Sequence, residues 1–402
     1  MTNRDIIDLG AKYLFQIYPR APLAIVRGEG CRVWDADGKS YLDFFGSTVV
    51  VNLGHCHPNV TRAITEQANT ILHVSNLHHS APQAQLAERL CTHSFADRAF
   101  FCNSGAEANE AAIKLARKFG ADHGDGRYEI VTMLCSFHGR TIATIAATGQ
   151  EKVRHGFQPL PQGFRYAPYN DIAAVEAVVT DRTIAIMLEP VLGEGGIIAA
   201  TPEFMKAVRE LCNRRNLLLI LDEVQTGMGR LGTLFGYELS GITPDIMTLG
   251  KGLGSGVPIG AMLATERVAP AFSVGTHGTT FGGNALTCAV GIAVVDTLLN
   301  DGVLENGRAM GEYLREGLRR LQRTLPIIRD VRGHGLLVGV ELAQPGAAIV
   351  DRCRAAGLIL NCTADKVLRF TPPLIVTRDE IDEALAIVEL ALRPAEAQAL
   401  PS

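Results

Sequence analysis

The sequence predicts an α/β protein with a mostly parallel sheet between helices and a smaller α+β domain. Two observations lead to this fold class: short apolar segments alternate with helical stretches through the middle of the chain, and the apolar residues in these segments are continuous rather than alternating with polar ones. A strand without polar alternation is buried on both faces, as in a parallel sheet covered by helices. After about residue 301 the pattern changes to a long charged helix followed by shorter elements, which indicates a second domain.

The predicted elements follow one another in a regular order. Apolar segments that we expect to form strands are separated by stretches with helical periodicity. The expected strands are 98–102, 129–134, 183–188, 217–221, 247–249 and 259–264, and the helices between them include 106–119 and 202–215. In the C-terminal part we expect a helix at 305–324, an extended segment at 327–342, a helix at 347–356, a strand at 358–360 and a helix from residue 378.

The length and the change of pattern together predict three parts of the chain. With 402 residues, the chain is long enough for two or three domains of roughly 150 residues each. We expect residues 1–50 to be an N-terminal segment that joins the small domain, residues 51–300 to form the large domain, and residues 301–402 to form the small domain.

The composition excludes several classes of protein. The net charge is −4, so the chain lacks the basic excess that binding to nucleic acid or to an anionic membrane favours. The nine cysteines are odd in number and include no C-x-x-C pair, which is typical of a reducing compartment. The N-terminus carries acidic residues, and no run of about 18 apolar residues occurs. We therefore expect a soluble cytoplasmic protein whose partners are small molecules.

Three familiar site motifs are absent or incomplete. The segment DGKS (37–40) resembles the end of a phosphate-binding loop, but Val33 stands where the first glycine belongs. The adjacent side chains of HCH (55–57) do not readily converge on one ion, and neither H-E-x-x-H nor paired C-x-x-C occurs, so no metal site is predicted. The absence of G-x-S-x-G excludes the corresponding hydrolase nucleophile.

An apolar segment that ends in an acidic residue gives the first candidate site. Asp222 follows the expected strand in LLLILDEVQ (217–225). Ligands bind at the carboxyl ends of parallel strands, and a partly desolvated carboxylate there needs a positive partner, such as a protonated ring nitrogen. The alternative for a single aspartate in this position is a helix cap or a turn.

A lysine and a helix start complete the candidate chemistry. Lys251 lies between glycines in LGKGLG (249–254), where it can be desolvated and form a Schiff base; the alternative is an exposed turn. The segment NSGAE (103–107) opens a helix whose free N–H groups can bind phosphate, although Ser104 alone would suggest only an N-cap. An amine, an acid and a phosphate cradle on one chain are what pyridoxal phosphate requires.

Several ordered motifs carry a resemblance to a known family. They are FCNSGAEANEAAIKLARK (101–118), FHGRT (137–141), EPVLGEGG (189–196), LDEVQTGMGR (221–230), the glycine-rich segment 250–260, HGTTFGGN (277–284) and LRFTPPL (368–374). With these motifs the chain resembles the class III pyridoxal-phosphate aminotransferases from about residue 22 to residue 385, and within that class it is most similar to N-acetylornithine aminotransferases. The resemblance implies the fold-type I architecture of these transferases.

The resemblance also implies a set of cofactor contacts. Lys251 would carry the internal aldimine and move the substrate proton, and Asp222 would keep the ring nitrogen protonated. The other implied contacts are Phe137 and Gln225 at the ring, and Ser104, Gly105, Ala106 and Thr280 at the phosphate. Thr280 would reach the phosphate from the neighbouring subunit, so a homodimer is expected.

The substrate contacts implied by the resemblance are two arginines and their neighbours. Arg140 would bind the α-carboxylate of N2-acetylornithine, with Thr279 as a further contact. Arg369 would bind the α-carboxylate of 2-oxoglutarate, and Glu194 would pair with Arg369 while the amino donor is bound. The expected reaction yields N-acetylglutamate semialdehyde and glutamate, as in arginine biosynthesis. Without the resemblance, both arginines would be interpreted as members of surface or interdomain ion pairs.

Departures from the family pattern leave the amino donor open. They are STVV (47–50) in place of a small-residue stretch, His78 in place of an aromatic residue, and Leu231 in place of a threonine. Succinylornithine, ornithine, 4-aminobutyrate and succinyldiaminopimelate are alternative donors on the same scaffold. An aminomutase is a further alternative, but it would not need the Glu194–Arg369 pair, and a non-catalytic binding protein would not need Lys251.

Overall fold

Helices and strands alternate along most of the chain. The computed structural model describes residues 1–123 and 125–393. The α-helices are α1 (Asn3–Tyr13), α2 (Gly46–Val49), α3 (Pro58–Ala68), α4 (Ala81–Thr92), α5 (Gly105–His123), α6 (Ile142–Ala147), α7 (Glu151–Arg154), α8 (Ile172–Val178), α9 (Pro202–Arg215), α10 (Ala285–Asn300), α11 (Val303–Thr324), α12 (Ala347–Ala355) and α13 (Arg378–Leu392). The strands are β1 (Ile25–Glu29), β2 (Arg32–Asp35), β3 (Ser40–Asp43), β4 (Arg98–Cys102), β5 (Glu129–Met133), β6 (Phe164–Ala167), β7 (Thr183–Leu188), β8 (Val191–Leu192), β9 (Ile198–Ala199), β10 (Leu218–Asp222), β11 (Ile246–Leu249), β12 (Gly260–Ala264), β13 (Ile328–His334), β14 (Leu337–Leu342), β15 (Leu358–Ile359), β16 (Asn361–Thr363) and β17 (Val367–Phe370).

A seven-stranded sheet forms the centre of the fold, in the order β4-β12-β11-β10-β7-β5-β6. All strands run parallel except β12, which is antiparallel to both of its neighbours. In the middle of the sheet, Ile220 of β10 lies opposite Met187 of β7 and Ile246 of β11. This sheet confirms the predicted α/β fold class.

Helices cover both faces of the sheet because successive residues of a strand point to opposite sides. Ile220 packs on the side of α5, whereas its neighbours Leu219 and Leu221 pack on the side of α9. The central strands must therefore be largely apolar on both faces, which explains the continuous apolar segments of the sequence.

The positions of the predicted sheet strands agree with the structure to within one residue at each end. The helix expected at 202–215 matches α9, and the helix expected at 106–119 is longer, since α5 spans Gly105–His123. The prediction missed β6, which lies at the edge of the sheet and pairs only with β5. Its residues Arg165 and Tyr166 interrupt the apolar pattern because an edge strand is covered less completely.

The C-terminal part contains an antiparallel sheet in the order β13-β14-β17-β16, against which α11 packs. The segment expected to be extended at 327–342 is a hairpin of β13 and β14. Its turn contains Gly335 with φ +51°, where a Cβ atom would lie 2.5 Å from the backbone carbonyl carbon of Leu231. A glycine is required here both by the left-handed backbone and by the close approach.

The N-terminal segment shares a second small sheet with the C-terminal part, in the order β1-β2-β3-β15. The parallel pair β3–β15 places Leu42 opposite Leu358. Whether the domains divide at residues 50 and 300 stays a prediction. Residues 394–402 of the predicted small domain lie outside the described residues.

The helices of the described residues include no single candidate for a membrane span. Within residues 1–123 and 125–393, no helix taken alone has the length and the apolar character to cross a bilayer. The consecutive helices α10 and α11 pass that test only as a pair, and they are bent by 67°. Val290 and Val294 of α10 are completely buried in the protein core.

Candidate active site

The predicted site residues come together at the carboxyl edge of the central sheet. Asp222 is the last residue of β10, and Lys251 follows β11 after Gly250. The helix α5 begins with Gly105 shortly after β4, and a Cβ atom on Gly250 would lie 3.2 Å from the Cα of Gly105. In a parallel sheet the carboxyl ends of neighbouring strands lie at one edge, so an acid, an amine and a helix N-terminus surround one space.

The carboxylate of Asp222 is buried and held by three donors. Its Oδ2 accepts hydrogen bonds from Nδ2 of Asn109 and from Nδ1 of His138, both at 2.7 Å. Its Oδ1 accepts from the backbone N–H of Val224 at 3.0 Å. Charge-assisted bonds of this length fix the orientation of the carboxylate, which is the requirement for a partner of a ring nitrogen.

A buried histidine extends this network. Burial by itself would lower the pKa of His138, but the hydrogen bond and the negative charge of Asp222, together with the charge of Glu189, outweigh burial and raise the pKa. Asn109 is held in turn, because its Oδ1 accepts from the hydroxyl of Thr248 at 2.7 Å and its Nδ2 also donates to the carbonyl of His138. The raised pKa of His138 favours its protonated form, which offsets the charge of Asp222 in the interior.

Glu189 connects the histidine to the wall of the site. Its two carboxylate oxygens accept hydrogen bonds from the backbone N–H groups of Phe137 at 2.9 Å and Gly193 at 3.2 Å. Burial raises the pKa of Glu189 to about 7; the positive charge of His138 opposes this rise, and the negative charge of Asp222 adds to it. The pKa of Glu189 is therefore close to neutral pH. Glu189 lies next to the backbone of Phe137, which the resemblance predicts to contact the cofactor ring.

Lys251 occupies a strained turn. Its φ of +43° lies in the left-handed region that residues other than glycine rarely adopt. Burial lowers the pKa of its ammonium from the usual 10.5 to about 8; the carboxylate of Glu194 opposes the shift, and the guanidinium of Arg369 adds to it. A lysine with this pKa is partly neutral near physiological pH, as a nucleophilic amine must be.

The N-terminus of α5 offers unpaired donors. Among the described residues, the backbone N–H groups of Gly105 and Ala106 have no acceptor. Ser104 caps the helix by accepting from the N–H of Glu107 at 3.2 Å, and a Cβ atom on Gly105 would lie 2.6 Å from Cγ1 of Val224. Free N–H groups at a helix start, in a space kept open by a glycine, fit a phosphate group.

Arg369 and Glu194 form an ion pair near Lys251. Nη1 of Arg369 lies 2.7 Å from Oε1 of Glu194, and the arginine side chain is only 1% exposed. Gln225 contacts both residues, donating to Glu194 at 3.3 Å and accepting from Arg369 at 3.4 Å. Burial would raise the pKa of Glu194, but the charge and hydrogen bond of Arg369 lower it, so the acid is held ionised.

The remaining predicted residues lie at the rim of the site. Arg140 is exposed, and its guanidinium lies 5.2 Å from the centre of the Phe137 ring. The hydroxyl of Thr279 accepts from the N–H of Gly282 at 3.2 Å and from Nδ2 of Asn103 at 3.5 Å. Thr280 is exposed, and within the described part of the chain its hydroxyl makes no hydrogen bond. The structure thus brings Arg140 close to the face of the Phe137 ring. It does not bring Thr280 into contact with the free N–H groups of Gly105 and Ala106 in the same chain.

Sequence reasoning missed the two side chains that hold Asp222, Asn109 and His138, and the two polar residues next to them, Thr248 and Glu189. A signal existed, because three of them lie inside the motifs NSGAEANE, FHGRT and EPVLGEGG, and Thr248 immediately precedes LGKGLG. A polar residue at the end of a buried strand or inside an apolar helix face needs a partner, and that requirement identifies them.

Comparison with known proteins identifies the family of the chain. The family model described as Aminotransferase class-III matches residues 16–392. An acetylornithine aminotransferase from Caldanaerobacter subterraneus subsp. tengcongensis is 53% identical over 386 residues, which is 96% of this chain and 98% of that protein. The chain therefore belongs to the class III aminotransferases, and it is an aminotransferase.

Solved structures of the class share the whole fold. The ornithine aminotransferase from Toxoplasma gondii has a TM-score of 0.94 and 32% identity, over 97% of this chain and 94% of that chain. The N-acetylornithine aminotransferase from Stenotrophomonas maltophilia K279a has a TM-score of 0.82 and 38% identity, over 96% of this chain and 98% of that chain. The predicted family and its fold-type I architecture are confirmed.

The cofactor of the class is pyridoxal 5′-phosphate, and the Toxoplasma gondii enzyme is described with PLP at its active site. The residues of this chain fit that group. The unpaired N–H groups of Gly105 and Ala106 suit the phosphate, and Lys251 offers an amine with a lowered pKa for the aldehyde. Dependence on pyridoxal phosphate, predicted from the sequence, is confirmed.

Proposed function

We propose that the protein transfers the terminal amino group of N2-acetylornithine to 2-oxoglutarate, giving N-acetylglutamate semialdehyde and glutamate. In the cell this step would belong to arginine biosynthesis, where it runs towards acetylornithine. The structural observation that carries the proposal is the Glu194–Arg369 ion pair beside Lys251, since one pocket must accept a donor with one carboxylate and then an acceptor with two. The choice of donor follows the 53% identical relative named acetylornithine aminotransferase.

The cofactor would be held by residues from several strands. Asp222 would accept a hydrogen bond from the protonated ring nitrogen of the cofactor. Gln225 would hydrogen-bond the ring hydroxyl, and Phe137 would cover one face of the cofactor ring. The phosphate would be bound by Ser104 and by the N–H groups of Gly105 and Ala106. When bound, pyridoxal phosphate supplies an aldehyde and an electron-withdrawing ring.

Lys251 and Asp222 are the residues of the chain that would take part in the chemistry. Lys251 would bind the aldehyde through Nζ, be released when the substrate amine arrives, and then carry a proton on Nζ between the substrate carbon and the cofactor. Its lowered pKa lets it accept that proton near neutral pH. Asp222, fixed by His138 and Asn109, would stay in place through both halves of the reaction.

Two arginines would bind the substrates. Arg140 would hold the α-carboxylate of acetylornithine in a bidentate contact, with Thr279 nearby. Glu194 would cover Arg369 while this donor is bound. When 2-oxoglutarate enters, Glu194 would turn towards solvent, and Arg369 would bind the α-carboxylate instead.

The assembly and location are part of the proposal. Thr280 is exposed and unpaired within the described part of the chain, which suits a residue that reaches the phosphate of a neighbouring subunit in a homodimer. We place the enzyme in the cytoplasm, where nine scattered cysteines would remain reduced.

A second candidate is free ornithine as the amino donor. The observation that favours it is the TM-score of 0.94 to the Toxoplasma gondii ornithine aminotransferase. The two donors differ at the α-amino group, which is acylated and uncharged in one and cationic in the other. The exposed Arg140 would repel that cation and so favours the acylated donor.

The two candidates are separated by a competition between donors. We would measure kcat/KM for glutamate formation from 2-oxoglutarate with N2-acetylornithine and with ornithine at one pH. A preference of tenfold or more for the acetylated donor, about 1.4 kcal/mol of transition-state discrimination, supports the proposal. A preference for ornithine would move the function to that donor, with Ser47, Val50 and His78 as the first residues to exchange.

A further inference from the structure

A buried arginine that the contacts above do not use lies at the junction of several segments. The side chain of Arg230 is completely covered. Its Nη1 donates to the carbonyl oxygens of Leu336 at 3.0 Å and Pro372 at 2.7 Å, and its Nη2 donates to Oδ1 of Asn52 at 2.6 Å. Within residues 1–123 and 125–393, Arg230 has no carboxylate partner, and burial without an opposing charge lowers its pKa to about 9.

The three acceptors belong to three separate parts of the chain. Leu336 lies in the turn between β13 and β14, and Pro372 lies two residues after β17. Asn52 belongs to the segment that follows α2 near the N-terminus. A single guanidinium thus ties a loop of the central sheet, which follows β10, to the N-terminal segment and to the C-terminal sheet. Its planar, rigid fork suits this task better than a flexible ammonium would.

One branch of this junction leads to Lys251. Asn52 donates through Nδ2 to the carbonyl of Met228 at 2.8 Å. A Cβ atom on Gly252 would lie only 2.3 Å from that Nδ2, so the Asn52 amide lies directly against the backbone that follows Lys251. The turn of Lys251 has φ +43° and keeps this strained form only if its surroundings hold it.

The other branch leads to Arg369. Pro372 follows Arg369 by three residues on the same extended segment, so a shift of the Pro372 carbonyl moves the end of β17. The backbone of Asn52 reinforces the link, because its carbonyl accepts from the N–H of Leu374 at 2.7 Å. Arg230 and Asn52 therefore contact both the segment that carries Lys251 and the segment that carries Arg369.

We propose that Arg230 is a positioning residue that, through Asn52 and Pro372, sets the placement of Lys251 relative to Arg369. The roles of Lys251 and Arg369 rest on the proposed function, whereas the hydrogen bonds that form the junction are observed in the structure. A neutral side chain in place of Arg230 leaves buried acceptors unsatisfied, and the segments that carry them then shift. Displacements of about 1 Å cost on the order of a hundredfold in reactions that depend on alignment.

The test uses Arg230→Lys and Arg230→Met with Arg352→Met as the matched control. Arg352 also donates from a partly buried side chain to a backbone carbonyl, that of Ala391 at 2.8 Å, and none of its hydrogen bonds reaches the site. Two quantities are measured besides the melting temperature. They are the apparent dissociation constant of 2-oxoglutarate, taken from the concentration dependence of its single-turnover reaction with holoenzyme that the amino donor has first aminated, and the pH midpoint for pyridoxal phosphate binding to Lys251 in the apoenzyme.

We expect both Arg230 variants to weaken 2-oxoglutarate binding by roughly tenfold and to move the pH midpoint upwards, while Arg352→Met lowers only the melting temperature. If the Arg230 variants do not fold, Gly252→Ala decides, since its methyl displaces Asn52 and should also weaken 2-oxoglutarate binding. The proposal is overturned if these variants keep both quantities within twofold of the wild type. A wild type that does not bind 2-oxoglutarate would refute the proposed function instead, and the pH midpoint would then decide about Arg230.

Discussion

Glu194 and Arg369 form an ion pair in which the two partners differ sharply in burial. The distance between Oε1 and Nη1 is 2.7 Å, and the side chains are 29% and 1% exposed respectively. The arginine is fixed by Asn361 and Gln225, whereas the carboxylate lies at the edge of the site. Because the buried guanidinium of Arg369 then lacks its anion, removal of Glu194 creates a site for another carboxylate.

Replacement of this carboxylate should change the two half-reactions in opposite directions. In Glu194→Ala we expect the KM for 2-oxoglutarate to fall and the KM for the amino donor to rise, each by up to about tenfold. The reason is that free Arg369 favours the acceptor, which has a second carboxylate, over the donor, which has only one. Glu383→Ala, which breaks the exposed pair with Arg32, is the control. Unchanged KM values in Glu194→Ala would argue against the switch.

Removal of the lysine should abolish turnover but not all cofactor binding. In Lys251→Ala the remaining contacts at Asp222, Gly105 and Ala106 should still retain some pyridoxal phosphate, because they do not involve the amine. Activity assays and absorbance spectra of the purified variant test both parts. Turnover near the wild-type level would show that another group carries the chemistry.

The lowered pKa of Lys251 predicts the pH dependence of the apoenzyme. The unfolded chain binds a proton at this lysine up to about pH 10.5, whereas the folded chain loses it near pH 8. Between these values the unfolded state holds more protons, so this residue makes stability rise with pH from about 8 to 10.5. Denaturant titrations of apo wild type and Lys251→Met at several pH values measure the contribution. An identical pH profile for the two proteins would contradict the shift.

The histidine behind Asp222 should affect cofactor affinity without touching the cofactor. In His138→Asn the carboxylate loses a charged donor at 2.7 Å, and we expect the cofactor dissociation constant to rise by about 10- to 100-fold. His155→Asn, at an exposed position, serves as the control. The effect is measured by fluorescence titration of the apoenzyme, and equal affinities in the two variants would mean that Asp222 needs no such support.

A glycine in the proposed phosphate site should be sensitive to a single methyl group. A Cβ atom on Gly105 would lie 2.6 Å from Cγ1 of Val224, so Gly105→Ala should displace the helix start and weaken phosphate binding by at least about tenfold. The double variant Gly105→Ala with Val224→Ala removes the clash and should recover part of the affinity. Equal loss in the single and the double variant would show that the contact with Val224 is not the cause.

The fold was predictable because its signals are local. A strand such as β7, apolar at the five positions after Thr183, indicates burial on both faces without any knowledge of its neighbours. The edge strand β6 gave no such signal, since Arg165 and Tyr166 lie where cover is incomplete. The hairpin of β13 and β14 was expected only as one extended segment because its turn depends on contact between Gly335 and the distant Leu231.

The site was only partly predictable because its supports are non-local. Lys251 and Asp222 were predicted only in combination and with the family resemblance, and their partners depend on which strands become neighbours. His138 and Asn109 lie 84 and 113 residues from Asp222, and no spacing in the sequence indicates that they meet. Asn52, which accepts a hydrogen bond from Arg230, lies still farther away in the sequence, at 178 residues, and this contact can be seen only in the folded structure.

The central claim, that this chain moves an amino group between two substrates in separate half-reactions, is tested most directly by one single-turnover measurement. Holoenzyme is mixed with N2-acetylornithine in the absence of 2-oxoglutarate, and the cofactor absorbance and the released semialdehyde are followed. We predict one equivalent of semialdehyde per site and a spectrum that returns only when 2-oxoglutarate is added, with one equivalent of glutamate. Continuous conversion of the donor without any acceptor, or no spectral change at all, would contradict the account.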